Sequence, residues 1–467
     1  MYIDFLFMKN SKFFRLFNTL TEEELKKFLS FVHVMYSTYR NQTILLEYIA
    51  ETLSTKEELN FTKALVYKAV FKKDMVTVSD KKNLSNLLSD LTKWLENFFL
   101  CEYGEKFSFA RSQLVKEIYK KRNLYKDYIN TIKQAKSQNT RQVKNEYWFL
   151  NDYTCNSLLY FTSEEDEHRI SQSYLVEGLT RLEQFYTLTK VTLLCEMMNR
   201  KFVLAENLEI AEVHNIGKYN EEPLINSYYL LFQLYSDPSY NKFYKLKEAI
   251  TTLKNIDDHV HLKLLFYAIN YAAAQYRLGQ EVFLKEAFAL YKFGLERKII
   301  LENGFLSEMA FKNIVFIACL LKEYAWAQQF IEEWKVYLKK DSRNDLTSFC
   351  MSRIYCDNGS FELAKDILER TTFFNDFYNA ESRLLLIKCY YELGDFEKTL
   401  SECINLESFL QRKTKINKEY KQGGLNFLRL VKKIINRRKK EKLMDTIEQK
   451  DVLFFKEWLI EKIKFLP

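Results

Sequence analysis

The residues in this chain that could do chemistry are few and poorly spaced for it. His259-Val260-His261 is the only close pair among five histidines. On a helix, residues two apart diverge by about 200°, so the two imidazoles cannot share a metal ion. The pair reads instead as an exposed helix start after Asp257-Asp258. Cys350 and Cys356 invite comparison with a redox couple, but six residues apart on a helix they fall on different faces, and packing thiols are the favoured reading. The acidic run Ser163-Glu-Glu-Asp-Glu-His168 offers several carboxylates. Acid–base work needs two of them opposed across a cleft, so a solvated loop or helix start is favoured. Neither GxxxxGK[ST] nor GxGxxG after a strand occurs, and HExxH and GxSxG are missing too. The expectation is a protein that is not an enzyme, with no catalytic residue, no metal and no cofactor.

One segment has a plausible ligand. Between Arg412 and Lys442 stand thirteen Lys/Arg and two acids, whereas the rest of the chain carries a small negative excess. Lys432, Lys433, Arg437, Arg438, Lys439 and Lys440 surround an apolar stripe of Leu428, Val431, Ile434 and Ile435. With that stripe docked, the basic face would attract phosphate backbones or an acidic protein, with salt-sensitive affinity. No aromatic RNA-binding signature accompanies it, and a solvated face is the favoured reading. The aromatic stretch Tyr228 to Tyr235 could line a peptide groove, but at helical spacing it reads as core.

The elements that position these residues are helices. Ten glycines and three prolines against 31 tyrosines and 38 phenylalanines cannot supply the turns of a β protein. Thr21-Glu-Glu-Glu24 has the form of a capping box, Thr55-Lys-Glu-Glu58 repeats it, and Ser79 or Asp80 can cap the next helix. That helix carries Leu84, Leu87, Leu88, Leu91, Trp94, Leu95 and Phe98, a stripe wide enough to pack on more than one side. Tyr355-Cys-Asp-Asn-Gly359-Ser-Phe361-Glu362 aligns with Tyr390-Tyr-Glu-Leu-Gly394-Asp-Phe396-Glu397 at an offset of 35 residues, near the tetratricopeptide (TPR) period of about 34. In each copy a glycine ends the first helix, Ser or Asp caps the second, and an aromatic packs back into the hairpin. Leu321 to Ala327 is an earlier copy with Lys322 at the glycine position, and Tyr276 to Gly279 closes another first helix. Ala327 and Ala364 are the small residues of close helix approach, with Thr399 in that place in the last copy. Asn303-Gly304 and Ser307 mark a further stop and restart. A basic helix near Leu425–Lys440 and a final helix, Val452–Phe465, are expected to close the array.

The fold class expected is all-α: a TPR-like α-α solenoid with a helical N-terminal region (1–140), degenerate repeats (141–411), and a basic helix with a C-terminal capping helix (412–467). Cysteines inside apolar patterns, Asp4 and Lys9 interrupting the first apolar residues, and the lack of a run of roughly 18–20 apolar residues point to a cytoplasmic protein without a membrane span. Several strings, among them Asp80 to Leu91, Leu301 to Ser307, Phe311 to Val315 and Trp458 to Lys462, resemble a family of all-helical, TPR-like proteins from Bacteroidota, from about residue 15 onward. The resemblance implies a helical fold in a bacterial cytoplasmic protein and carries no catalytic residues. The leading functional expectation is a protein-interaction scaffold with a protein or peptide partner. The alternatives are nucleic-acid or ribosome binding through the basic helix, and a DNA-binding regulator using the first 140 residues. Partner identity and oligomeric state stay open.

Overall fold

Helices account for most of the described backbone. The structure is a computed structural model and describes residues 11–54, 63–75, 77–103, 118–119, 121–161, 172–204, 221–373, 375–413, 416–436, 440–450 and 452–464. The chain divides into two units, Met1–Gln142 with Leu150–Arg181, and Val143–Phe149 with Leu182–Pro467.

The first unit contains α1 (Lys12–Phe17), α2 (Glu22–Tyr36), α3 (Arg40–Ser54), α4 (Lys63–Phe71), α5 (Val78–Tyr103) and α6 (Tyr125–Thr140). Two further helices, α7 (Glu146–Phe161) and α8 (Ser173–Leu204), give residues to both units. Thr21 and Glu24 form the expected capping box, with bonds of 2.8 and 3.2 Å. The box before Thr55's helix lies outside the described residues. For α5 the cap sits earlier than expected. Thr77 is the cap and Asp80 its partner, the two exchanging backbone–side-chain bonds of 2.9 and 3.1 Å. Asp80 is recruited because it is buried and also accepts from the Tyr67 hydroxyl at 2.6 Å. Helix α5 packs against α1, α2, α3 and α4, burying Leu84, Leu91, Leu95 and Phe98, as its wide stripe requires.

In the second unit five antiparallel helical hairpins follow in succession. They are α9/α10 (Pro223–Ser236, Tyr240–Thr252), α11/α12 (Asp258–Arg277, Val282–Glu296), α13/α14 (Glu308–Leu320, Tyr324–Trp334), α15/α16 (Lys340–Asp357, Phe361–Arg370) and α17/α18 (Asp376–Glu392, Phe396–Arg412). Four of the five turns are built the same way. Gly279, Lys322, Gly359 and Gly394 have φ of +90°, +61°, +80° and +77°. In each, the next residue's N–H reaches the carbonyl five residues back, as in Glu323 to Ala318 at 2.8 Å and Ser360 to Tyr355 at 2.8 Å. Lys322 thus does a glycine's work at a steric cost. Ser360 makes no side-chain capping bond, while Asp395 accepts from the Lys398 N–H at 3.0 Å. Ala327, Ala364 and Thr399 are all fully buried. Phe361 packs on the core, and Phe396, though exposed, sits edge-on to Tyr391.

Between the second and third hairpins, β1 (Leu301–Glu302) pairs with β2 (Phe305–Leu306) around Asn303 and Gly304, both at positive φ. Ser307 then caps α13 through the Ala310 N–H, as expected. The stretch Tyr228–Tyr235 is core, with Tyr228, Leu231, Leu234 and Tyr235 buried.

The end of the chain departs from expectation. Instead of one basic helix near Leu425–Lys440 there are α19 (Lys418–Ile435) and α20 (Lys440–Glu448). One turn past Ile434 and Ile435 the residues are Arg437, Arg438 and Lys439, so a continued helix would have nothing to bury. The last helix, α21, is Lys456–Lys464 rather than Val452–Phe465. Residues 452–455 form a strap in which Val452, Leu453, Phe454 and Phe455 are each half-buried, which one helical face cannot achieve. Phe455 takes φ of +51°. Among the described residues no helix is long and apolar enough to cross a membrane.

Candidate functional site

Of the six basic residues singled out by sequence, Lys432, Lys433 and Lys440 are described. Lys432 is tied to Glu407 at 2.5 Å on the neighbouring α18. Lys433 is exposed, and Lys440 caps α21 by donating to the Lys464 carbonyl at 3.0 Å. Arg437, Arg438 and Lys439 lie outside the described residues. The stripe Leu428, Val431 and Ile434 is buried.

A different constellation comes together on the stacked first helices. Helices α13, α15 and α17 lie side by side, and the strap runs past them to Trp458. They enclose an open cavity of about 570 Å³. Its floor carries Arg353 and Asp357, one turn apart on α15, and Glu381 and Lys388 on α17. Arg353 Nε donates to Asp357 Oδ2 at 2.5 Å, and Lys388 Nζ lies 3.5 Å from the other oxygen. These three side chains are 19%, 11% and 17% exposed for Arg353, Lys388 and Asp357, so the pairs are well shielded from water. Aromatic rings cover the cations. Arg353 stands 4.7 Å from the centroid of Phe316 and 5.7 Å from that of Phe455, and Lys388 is 5.6 Å from Phe455. Lys312 extends the row, 4.5 Å from Phe377 and 5.7 Å from Phe316. Burial holds the Glu381 carboxyl above the usual range, with Lys312 and Arg353 pulling the other way. Burial also works against the charge of Arg353, and Asp357 more than restores it.

The strap is held in place by close packing and one hydrogen bond. Asn426 on α19 donates to the Val452 carbonyl at 2.9 Å. A Cβ at Gly423 would stand 3.0 Å from Val452 and 3.1 Å from the Phe454 ring, so this mid-helix glycine permits the approach. Trp458 donates from its indole to Glu392, which also holds Lys462 at 2.7 Å. Next to the cavity a second open space of about 860 Å³ lies between the start of α17, the start of α19 and the strap.

The arrangement can bind and orient. The thiol that lines it, Cys319, is pushed by burial up to about 12, which keeps it protonated near neutral pH. Cys350 and Cys356 do not face each other. Cys356 lies against Cys389 on the adjacent first helix, and all three are buried. His259 is exposed as expected, but His261 is buried and its Nε2–H donates to the Ile250 carbonyl at 2.9 Å. Among the described residues no three His, Cys, Asp or Glu side chains are grouped to hold a metal ion. The acidic run 163–168 lies outside them.

Sequence reasoning overlooked Arg353 and Lys388, although a signal was present. Each precedes the aligned tyrosine of its repeat, Tyr355 or Tyr390, by two residues. The two cations therefore hold the same place in successive copies. The chain matches no family model, no curated protein and no solved structure.

Proposed function

We propose that the second unit is a non-enzymatic, TPR-like binding module that holds a protein or peptide partner on the face formed by its first helices. The observation that carries this reading is the open cavity over α13, α15 and α17, where shielded ion pairs and aromatic rings meet from three successive hairpins. Binding sites commonly combine such apolar walls with a few convergent polar groups. Helical repeats stack so that equivalent positions line up on one face, and Arg353 and Lys388 are such a pair. Seven buried free thiols fit a reducing compartment, and the cytoplasm is the assignment adopted. On α19, Lys432 is committed to Glu407, which lends no support to a nucleic-acid site there.

The test is site-directed photo-crosslinking in lysate of the native cell. A benzophenone side chain at the exposed rim residue Glu457 should yield a discrete adduct. The same group at the exposed Glu397, on the second helix of the last hairpin, should not. Equal labelling from both positions, or no adduct from Glu457, would refute the assignment of the binding face.

A further inference from the structure

We infer that the second open space, between the start of α17, the start of α19 and the strap, is a binding site for a quaternary ammonium group. Among the described lining residues it shares only Phe454 with the cavity over α13, α15 and α17. Its ligand therefore stands or falls independently of the partner proposed for that cavity.

The first observation is a corner of aromatic rings. Phe377 on α17, Tyr420 on α19 and Phe454 on the strap all line the space, and each is half-buried. The centroids of Phe377 and Tyr420 stand 5.1 Å apart and those of Tyr420 and Phe454 4.9 Å apart, with interplanar angles of 49° and 57°. Rings inclined by that much make a corner and not a flat stack. The face of an aromatic ring is the negative part of its quadrupole and attracts a cation. One ring of the set already does so: Lys312, which is not among the lining residues, stands 4.5 Å from the Phe377 centroid. Among the described residues no lysine or arginine lies over Tyr420 or Phe454.

The second observation is what the polar groups have left to offer. Asp376 and Glu419 line the space, and among the described lining residues there is no lysine or arginine. Asp376 is paired with Lys413 at 2.8 Å. The side-chain oxygens of Asn375 and Asn417 are spent on capping, accepting from the Phe377 N–H at 2.8 Å and the Glu419 N–H at 2.7 Å. Glu419 is exposed and makes no ion pair among the described residues. The positive ends of α17 and α19 carry about half a charge each, and the acids of their own first turns offset them. The net field is therefore small, and the ring faces select the ligand. A primary ammonium is a strongly hydrated donor that needs acceptors to replace its water, and few are free here. A quaternary ammonium donates no hydrogen bond, so ring faces and one exposed carboxylate suffice. The volume of about 860 Å³ falls within the range of small-molecule sites, roughly 300–1,000 Å³. The same chemistry arises in a free choline-like molecule and in a trimethylated lysine side chain, and the test separates the two.

Ligand-observed NMR titration of the full chain at low salt would compare choline, its uncharged tert-butyl isostere, ethanolamine, and a trimethyl-lysine pentapeptide beside its unmodified form. Choline should saturate one site and bind about five- to thirtyfold more tightly than the isostere or ethanolamine, the range that cation–π contact supplies. A trimethyl-lysine peptide tighter than choline identifies a peptide source, and equal or weaker affinity a free small molecule. An isostere or ethanolamine bound as tightly as choline would overturn the inference. So would the lack of saturable binding of both choline and the trimethyl-lysine peptide. These comparisons use the wild-type chain and do not depend on the folding of any variant. Tyr420→Phe keeps the ring and should keep the affinity. Tyr420→Leu should weaken choline binding at least about fivefold, and Glu419→Gln should weaken it less, whereas Glu397→Gln on the second helix of the last hairpin should not change it. Undiminished binding in a Tyr420→Leu, Glu419→Gln double variant that still melts cooperatively would also overturn the assignment. A crosslinked partner at Glu457 without choline binding would leave the binding-module reading standing and remove only the ammonium site.

Discussion

Lys322 offers a direct measure of how much the hairpin turns depend on left-handed backbone. At Gly359 and Gly394 an added Cβ would meet no atom within 4 Å, so the whole cost of a side chain there is conformational. An L-residue held left-handed costs about 1–2 kcal/mol. Replacing Gly by Ala also restricts the unfolded chain, which returns roughly 0.4–1 kcal/mol. Gly359→Ala and Gly394→Ala should therefore each destabilise by about 1 kcal/mol. Lys322 already carries that strain at φ of +61°, and its N–H already makes the turn bond to the Cys319 carbonyl at 2.9 Å. The reverse change, Lys322→Gly, should stabilise by about 0.5 kcal/mol once the freedom gained by the unfolded chain is subtracted. Urea unfolding followed by far-ultraviolet circular dichroism would report these as midpoint shifts at constant slope. Neutral alanine variants, or a glycine at 322 that destabilises, would show that the turns are fixed by packing and not by backbone conformation.

Other perturbations test the packing and its titration. Gly294→Ala would place a Cβ 2.7 Å from Leu265 and 3.5 Å from Ile300. Overpacking of about 1–3 kcal/mol should outweigh a helix-propensity gain of about 1 kcal/mol, so the thermal midpoint should fall. Burial holds the His261 pKa below its ordinary value, so its contribution is complete above about pH 6.5 and is lost as pH falls from there through the folded-state value. His261→Gln should flatten the stability profile between neutral pH and pH 5, and an unchanged slope would contradict the burial argument. For Glu381, held high by burial, the sign is opposite: stability is lost as pH rises through its folded-state value. Glu381→Gln should therefore unfold at a higher temperature than wild type at pH 7 and at the same temperature at pH 4.

Much of the fold was legible because local rules act over a few residues. The Thr21 box, the Ser307 cap and the glycines at 359 and 394 announce themselves, and the structure uses them as expected. Thr77 escaped notice because its partner Asp80 looked like a cap in its own right; only the tertiary bond from Tyr67 shows why Asp80 is an inner residue. Reading the hairpins from their glycines also missed α9/α10, which turns at Asp237-Pro238 with Ser239 as the cap. The expected basic helix failed where its apolar stripe ran out, a feature visible in the sequence but outweighed by the charge run. The cavity was the least legible part. Arg353 and Asp357 look like an ordinary helical ion pair, and their neighbours arrive from the next repeat and from the strap. Repeat alignment shows that Arg353 and Lys388 are equivalent, but not that Phe455 covers both.

The place of the strap in the chain sets a schedule. The floor residues Arg353 to Lys388 leave the ribosome before Val452 to Trp458, and at about 5–20 residues per second the delay is several seconds. During that interval the hairpins can stack, but the cavity lacks its aromatic wall. A nascent chain would present the cations of α15 and α17 uncovered by Phe455. On the binding reading proposed above, the cavity is closed only once the strap has been made and has settled against α15 and α17.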